Sequence, residues 1–189
     1  MNACLQRIEE IFRAIDTLYA AAQRSYGFSC EGCGDNCCST KFHHHTFVEE
    51  LYLAEGLKEL DKERRRELLS RADEVARIHS ASPDDVRVMC PLNEGGRCSV
   101  YGHRPLICRV HGIPYEMHGR DMSVEYGTGC HRFMSEKVKE GMKYFPFNRT
   151  MFYVEMARLE KAVRESGGFM GASYGKTTAE MVQSILRKT

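Results

Sequence analysis

The feature that most constrains this chain is a nine-residue stretch that contains four cysteines. It reads Cys30-Glu-Gly-Cys33-Gly-Asp-Asn-Cys37-Cys38. Gly32 and Gly34 allow the positive φ angles that a tight ligand loop needs. Apolar residues are nearly absent from the stretch, so burial in a core does not explain its thiols. The stretch therefore predicts a metal site.

Later cysteines can complete such a site. The chain has nine cysteines, of which Cys4 stands alone in a helical pattern and is predicted to be a packing residue. Thiolates are soft donors that suit zinc, copper(I) or iron–sulfur clusters and do not suit magnesium or calcium. Cys-x-x-Cys is the spacing at which one loop gives two ligands to one metal or cluster. The candidate ligands form two sequential sets, Cys30, Cys33, Cys37 and Cys38, and Cys90, Cys98, Cys108 and Cys130.

Spacing alone leaves the number of metal sites open. The side chains of the adjacent Cys37 and Cys38 diverge, so one can bind a metal while its neighbour serves a second metal, packs, or acts as a redox partner. Eight thiols can fill two four-thiolate zinc sites, or one four-cysteine cluster with four thiols to spare. The spare thiols favour an iron–sulfur cluster, of the four-iron type, for redox or cluster-dependent modification chemistry. The alternative is zinc in a binding module without catalysis.

Composition places these thiols in a reducing compartment. Contents of 42% hydrophobic and 28% charged residues are typical of a soluble globular protein. A net charge of +1 argues against a strongly basic nucleic-acid surface, and no apolar run reaches the length of about 18 residues that a membrane helix needs. The amino terminus lacks the order of a signal peptide. We therefore expect a cytoplasmic protein with no membrane contact and no clear nucleic-acid site, whose partner is an unidentified protein or redox partner.

In that compartment, clustered cysteines are more often metal ligands or redox groups than disulfides. A thioredoxin-like role for Cys30 and Cys33 is disfavoured because no βαβ pattern surrounds them. Arginines accompany the later cysteines, and a guanidinium can offset the negative charge of a four-thiolate site and donate to sulfur. Four arginines that each lie within four residues of a cysteine are candidates for this role: Arg97, Arg104, Arg109 and Arg132.

Apolar periodicity predicts a mainly α fold, a single helical domain around an irregular cysteine-rich centre with short β-hairpins. Capping boxes at Thr46 with Glu49 and at Thr177 with Glu180 mark two helix starts. The run His43 to His45 is predicted to be an exposed polar loop rather than a metal donor. We expect a helical domain over 1–166 with its cluster core at 27–132, a linker at 167–176 and a terminal helix at 177–189. Predicted helices cover 3–24, 61–79 and 150–165, a short strand covers 86–88, and hairpins turn at 95–96 and 118–121.

The combined pattern resembles the YkgJ-like cysteine-cluster family. Its signature is Cys-x-x-Cys-x(2,3)-Cys-Cys followed by Cys-Pro-x(n)-Gly-x-Cys-x-x-Tyr-x-x-Arg-Pro-x-x-Cys-Arg. The match covers roughly residues 27–132, with Cys130 at the position of the family's trailing cysteine. It is carried by Cys30, Cys33, Cys37, Cys38, Cys90, Pro91, Gly96, Cys98, Tyr101, Arg104, Pro105, Cys108 and Arg109.

The resemblance implies a zinc- or iron-chelating domain, with Tyr101, Arg104 and Arg109 beside the eight cysteine ligands. The family includes flagellin lysine N-methylases, so methyl transfer to a protein lysine is a third functional expectation. The chain contains no recognisable methyl-donor motif, and titration calorimetry with a methyl donor would test that expectation.

Overall fold

The architecture is mainly helical, and the expectation of one helical domain with short hairpins is confirmed. The computed structural model describes residues 2–30, 37–81, 86–138, 141–167 and 174–188. Its helices are α1 (Asn2–Tyr26), α2 (Phe47–Lys58), α3 (Lys62–Ala81), α4 (Leu106–Val110), α5 (His131–Lys137), α6 (Thr150–Gly167) and α7 (Thr178–Leu186). Its strands are β1 (His43–His44), β2 (Asn93–Glu94), β3 (Arg97–Cys98), β4 (Tyr115–His118), β5 (Val124–Gly127) and β6 (Lys176–Thr177).

The first core forms where α1 packs against α4 and α6. Ile8, Phe12 and Ile15 recur on one face of α1 and are fully buried, as the sequence periodicity predicts. Phe133 of α5 closes this core, with the ring of Phe28 edge-on to it at a centroid distance of 5.1 Å.

The second core lies between α2, α3 and α7. Because α2 lies between the two cores, it buries apolar residues on more than one face, Val48 towards the first core and Leu53 and Leu57 in the second. Cys90 and Cys98 pack against the second core, whereas Cys130 packs against the first. The cysteine-rich segments therefore contact both cores.

Within the described residues, three antiparallel strand pairs accompany the helices: β1 with β6, β2 with β3, and β4 with β5. The two predicted hairpins are confirmed as β2–β3 and β4–β5. Residues 86–88, predicted to be a strand, have no regular secondary structure. The pairing of β1 with β6 brings the C-terminal segment beside the histidine run and buries His44, which is 2% exposed. The prediction of an exposed loop is therefore wrong for His44.

The helix starts follow the predicted caps in part. Thr177 and Glu180 form the full capping box at the start of α7. Thr46 precedes α2 as predicted, but its hydroxyl donates to the Glu49 carboxylate at 2.6 Å instead of capping the backbone. The other oxygen of the Glu49 carboxylate accepts a hydrogen bond from the backbone N–H of Leu106 at 2.8 Å.

The predicted division at 166 and 176 stays a prediction. Residues 168–173 of the proposed linker lie outside the described residues, while α7 packs against α3. Among the described helices, none has both the length and the apolar character needed to cross a membrane.

Candidate metal centre

Backbone hydrogen bonds hold Cys38 beside Cys90. The one-turn 3₁₀ segment Cys37–Ser39 lies along the chain that leads into Cys90. The N–H of Val88 donates to the Ser39 carbonyl at 3.1 Å, and the N–H of Cys90 donates to the Cys38 carbonyl at 2.8 Å. Two cysteines that are far apart in sequence are thereby fixed on adjacent backbones.

The hairpin and helix α4 add two more thiols. Cys98 lies opposite Asn93 in the β2–β3 pair, and α4, whose N-cap is Pro105, carries Cys108. Pro105 suits this position because its fixed φ fits the entry to a helix and its missing N–H has no partner to lose there. We call the resulting set the Cys38 group: Cys38, Cys90, Cys98 and Cys108.

The four thiols of the Cys38 group lie close enough to influence one another electrostatically. Burial raises the pKa of Cys90 to about 12, and the nearby thiols of Cys98 and Cys38 add to that rise. Burial likewise raises the pKa of Cys108 well above its ordinary value, with Cys90, Cys98, Cys38 and the Glu49 carboxylate acting in the same direction. A bound cation would relieve this mutual repulsion between thiolates.

Cys38 differs from its neighbours because its thiolate form is stabilised. The Cys37 thiol donates to the Cys38 sulfur, and this hydrogen bond lowers the pKa of Cys38. The nearby side chain of Asn93 and the charge of Arg104 act in the same direction. Metals bind the thiolate rather than the thiol, so Cys38 is prepared to act as a ligand.

The backbone also donates to the sulfurs of this group. Leu92 N–H hydrogen-bonds to the Cys90 sulfur and Val100 N–H to the Cys98 sulfur, in each case from two residues further along the chain. Both bonds lower the pKa of the thiol that accepts them, against the larger effect of burial. Donors of this kind orient metal-bound thiolates and tune the metal they hold.

A series of side-chain hydrogen bonds links Cys90 to the buried His44. The hydroxyl of Thr178 donates to the Cys90 sulfur and lies 2.9 Å from Nε2 of His44. On the other side of its ring, Nδ1 of His44 faces the Glu49 carboxylate at 3.9 Å. The buried histidine thus fixes the hydroxyl that contacts a candidate ligand.

This arrangement predicts a specific dependence of stability on pH. Burial, together with the neighbouring His45 and His43, lowers the pKa of His44 to about 4. Between this value and the unfolded pKa of about 6.5, the unfolded chain binds the extra proton, so stability falls as pH falls. As the pH falls across that range, we expect the titration of His44 to lower the free energy of unfolding by up to about 3 kcal/mol. Urea denaturation at a series of pH values measures this loss.

The matched variants are His44→Gln and His43→Gln. Glutamine retains an N–H for Thr178 and does not titrate, so the His44 variant should show a flatter profile than the wild type. His43 is exposed on the same strand and contributes least of the three causes that lower the pKa of His44, so its replacement should change the slope much less. Glu49 faces His44 in all of these proteins, so its own titration cancels in the comparison. Equal slopes for wild type and His44→Gln would contradict the assignment.

A second set of thiols surrounds Tyr19 of α1. The Tyr19 hydroxyl donates to the carbonyl of His111 at 2.6 Å and lies 3.7 Å from the Cys30 sulfur. Burial raises the pKa of Tyr19, and the nearby thiols of Cys30, Cys37 and Cys130 raise it further. These three thiols form what we call the Cys30 group. Cys33, which the sequence predicts as a ligand on the same loop, lies outside the described residues.

Gly112 allows the segments of the Cys30 group to meet. Its carbonyl accepts from the N–H of Cys130 at 3.0 Å, which positions the start of α5. Gly112 has a φ of +117°, and a Cβ added there would lie 2.9 Å from the Tyr19 hydroxyl and 3.7 Å from the Cys30 sulfur. Only glycine accommodates both this backbone conformation and this close approach.

The two thiol groups meet at Cys37 and Cys38. Cys38 acts on Cys90 with Cys98, whereas Cys37 acts on Tyr19 together with Cys30 and Cys130 and also lies near Cys38 and Cys108. The structure therefore groups the cysteines differently from their order in the sequence: Cys38 joins the later cysteines and Cys130 joins the earlier ones. The predicted divergence of the adjacent side chains is not found, because the Cys37 thiol is hydrogen-bonded to the Cys38 sulfur.

Comparison with protein families matches this region. The CxxCxxCC family model, described as "Putative zinc- or iron-chelating domain", covers residues 29–131, more than half of the chain. The chain belongs to the CxxCxxCC family. Neither the curated proteins nor the solved structures provide a match. The chelating role of the CxxCxxCC domain agrees with the predicted choice of zinc or an iron–sulfur cluster as cofactor.

The donor set of the CxxCxxCC domain fits such a cofactor by its chemistry. Among the described residues, no three cysteine, histidine or carboxylate side chains already stand in ligand geometry around one point. The thiols of the Cys38 group have to rotate inwards to bind. Cys108 is exposed, yet protein atoms surround its thiol closely enough to raise its pKa.

Three residues were predicted to lie beside the metal ligands, and of these Arg104 comes closest to the predicted role of a positive charge near the thiolates. Its charge lowers the pKa of both Cys38 and Cys98, and its guanidinium stacks on the Tyr101 ring at 3.7 Å. Tyr101 is half exposed and serves as the platform for this stacking. Arg104 is therefore held in place between a ring and the thiols.

Arg109 is chiefly a structural link. It is 3% exposed and donates to the carbonyl groups of Gly102 and Arg104 and to the Asp16 carboxylate of α1. Its guanidinium also lies 4.3 Å from the Phe12 ring centroid. Arg109 thus fastens the loop before α4 to α1, although its charge also reaches Cys98.

Sequence reasoning missed four residues around the thiols: Asn93, Thr178, His44 and Tyr19. Asn93 lies within the family motif and could have been found by asking which side chains oppose Cys98 in the predicted hairpin. Thr178 and His44 meet only because β1 pairs with β6, and no pattern in the sequence announces that pairing. Tyr19 belongs to the apolar stripe of α1 and is indistinguishable there from a core residue.

Proposed function

We propose that the Cys38 group holds an iron–sulfur cluster for redox or cluster-dependent modification chemistry. The observation that carries this proposal is the convergence of four thiols from separate segments, with N–H and O–H donors directed at their sulfurs. The exposure of Cys108 supports it further, because a structural zinc ion is enclosed by its four ligands whereas a reactive centre keeps an accessible side.

The chain's own residues would act by holding and tuning the thiolates. Thr178 and the two backbone N–H groups would fix the orientation of the sulfurs, and Arg104 would supply a nearby positive charge. When bound, a cluster supplies one-electron transfer. Hydrogen bonds and positive charge near the sulfurs raise a cluster's reduction potential, because they favour the state with the additional electron. A redox partner would approach at the exposed Cys108.

A zinc-stabilised binding module is the second candidate. It is favoured by the local geometry at Cys90 and Cys98, where each cysteine accepts an N–H from two residues ahead at the ends of a short hairpin. Paired turns of this kind suit a four-thiolate zinc site, which contributes folding free energy and has no colour.

Metal and sulfide analysis separates the two candidates. Protein purified without oxygen is assayed for iron, zinc and acid-labile sulfide per chain, and its visible spectrum is recorded before and after reduction. Iron and sulfide in near equal amounts, with a brown absorption that reductant bleaches, support the cluster. Stoichiometric zinc without colour or sulfide would sink the redox proposal. Chelator treatment should then unfold the zinc protein without any spectral loss.

A further inference from the structure

Asn93 has a side-chain amide whose oxygen is used by the protein and whose nitrogen is not. The oxygen, Oδ1, accepts from the N–H of Gly96 at 3.0 Å, across the turn between β2 and β3. The nitrogen, Nδ2, is shielded from solvent and has no hydrogen-bond partner among the described residues. An amide nitrogen donates and does not accept, so Asn93 holds a buried donor in search of an acceptor.

The turn settles the orientation of this amide. If the oxygen and the nitrogen exchanged places, the nitrogen would face the N–H of Gly96 and two donors would oppose each other. The N–H of Gly96 therefore selects the orientation in which Oδ1 meets the turn. Nδ2 is thereby left for a different acceptor.

The backbone places Asn93 among the thiols of the Cys38 group. Its N–H donates to the Cys90 carbonyl at 2.9 Å, and its Cα lies opposite that of Cys98 in the β2–β3 pair. The Asn93 side chain is also close enough to Cys38 to lower the pKa of that thiol. Nδ2 and the Cys38 sulfur nevertheless do not meet in hydrogen-bond geometry. A candidate acceptor thus lies close to the donor without being bound by it.

Arg104 brings a second unused donor to the surroundings of Cys38. Its two terminal nitrogens donate to the Tyr101 carbonyl at 3.3 Å and to the Asp16 carboxylate at 3.4 Å. Its Nε is buried and has no partner within the part of the chain that the structure describes. The charge of the same guanidinium lowers the pKa of Cys38. The hairpin and the loop before α4 therefore both carry donors that await an acceptor.

Metal binding supplies a reason for these donors. A buried N–H without an acceptor destabilises a protein, because it has given up its hydrogen bond to water. A metal-bound cysteine is a thiolate, and a thiolate is a stronger acceptor than a thiol. The thiols of the Cys38 group have to rotate inwards to bind, and Asn93 lies among them. The inward rotation of the Cys38 sulfur can therefore complete the bond to Nδ2.

We propose that Asn93 is a positioning residue of the metal centre, which donates its free N–H to the Cys38 thiolate when a metal is bound and so slows the release of the metal. Where that metal belongs to an iron–sulfur cluster, the same bond raises the reduction potential, because it favours the state with the additional electron. The proposal rests on the proposed function in requiring a metal at the Cys38 group. The effect on metal release does not depend on which metal it is.

Two variants of Asn93 separate this role from its role in the turn. Asn93→Asp keeps an oxygen for the N–H of Gly96 and replaces Nδ2 with a negatively charged oxygen. Asn93→Ser keeps a shorter acceptor and has no amide. If Asn93 served the turn alone, the Asp variant would behave as the wild type and the Ser variant would be the weaker one. The proposal predicts the reverse order, because an oxygen in place of Nδ2 repels the thiolate.

The rate at which the purified, metal-loaded protein loses its metal to excess EDTA measures the effect. We expect release to be about 10–100-fold faster in Asn93→Ser than in the wild type, and faster still in Asn93→Asp. Ser99→Ala is the control, because it removes another buried polar atom without a partner, directly after β3, and should leave the rate unchanged. Circular dichroism confirms that the variants are folded. A wild-type rate in Asn93→Ser, or an equal acceleration in Ser99→Ala, would overturn the proposal.

The cofactor is identified separately, from the metal and sulfide content of the wild type. With a cluster, the reduction potential should fall from the wild type to Asn93→Ser, and an unchanged potential would refute the effect on the potential. A zinc protein whose metal release is accelerated in both Asn93 variants would overturn the proposed function and leave the role of Asn93 standing. A wild type with iron and sulfide, whose Asn93 variants release metal at the wild-type rate, would do the opposite.

Discussion

Replacing Cys38 with serine is expected to remove the metal of the Cys38 group, whereas replacing its neighbour Cys37 is not. Cys38 lies with the thiols of Cys90, Cys98 and Cys108, and its thiolate form is stabilised by three donors or charges. A serine hydroxyl at this position does not form a thiolate, so the site loses one of its four ligands. Metal per chain, measured after gel filtration, should fall to a small fraction of the wild-type value.

Cys37→Ser is the matched control because it changes the adjacent residue of the same 3₁₀ turn. Its hydroxyl can still donate to the Cys38 sulfur, and Cys37 belongs with Cys30 and Cys130 around Tyr19. The metal of the Cys38 group should therefore be retained. Cys4→Ser, at a half-buried thiol in α1, controls for general loss of a cysteine. Equal metal loss in the Cys37 and Cys38 variants would refute the division of the thiols between these two residues.

Arg109→Met is expected to lower the free energy of unfolding by about 2–4 kcal/mol. The substitution leaves the carbonyl groups of Gly102 and Arg104 without their donor and removes the guanidinium from the Phe12 ring. The ion pair with Asp16 contributes less, because that carboxylate is 43% exposed and is screened by water. Urea denaturation of the metal-loaded protein measures the loss.

Arg97→Met provides the comparison for Arg109→Met. Arg97 also stacks on an aromatic ring, with its guanidinium 4.8 Å from the Tyr101 centroid, but it is exposed on the β3 strand. Its replacement should leave stability nearly unchanged, as is usual for exposed positions. If both arginine variants unfolded at the same urea concentration as the wild type, the role of Arg109 as a structural link would be wrong.

The sequence was sufficient to identify the cysteine-cluster family and the mainly helical fold, whereas the assignment of the thiols as metal ligands stays a prediction. Local sequence patterns, such as the capping box at Thr177 and the turn at Gly95 and Gly96, predicted the local structure correctly. Cys33 lies outside the described residues, so its role stays a prediction. Local signals succeed because caps and turns depend on a few neighbouring residues.

The grouping of the thiols could not be predicted, because it depends on which distant backbones lie side by side. The hydrogen bond from Cys90 N–H to the Cys38 carbonyl joins segments separated by two helices. His44 is polar and was therefore predicted to be exposed, yet the pairing of β1 with β6 buries it. Tertiary contacts of this kind override local polarity, and one sequence alone carries no record of them.

The chain between Cys38 and Cys90 contains all of α2 and α3. A metal held by both thiolates would therefore cross-link a loop of about 50 residues. In the loop-entropy model, closing a loop of that size lowers the entropy of the unfolded chain and so stabilises the folded protein by about 4 kcal/mol. Every described cysteine is a free thiol. Metal binding would thus give this protein the restraint that disulfides give secreted domains, and the restraint would be reversible, since it comes and goes with the metal.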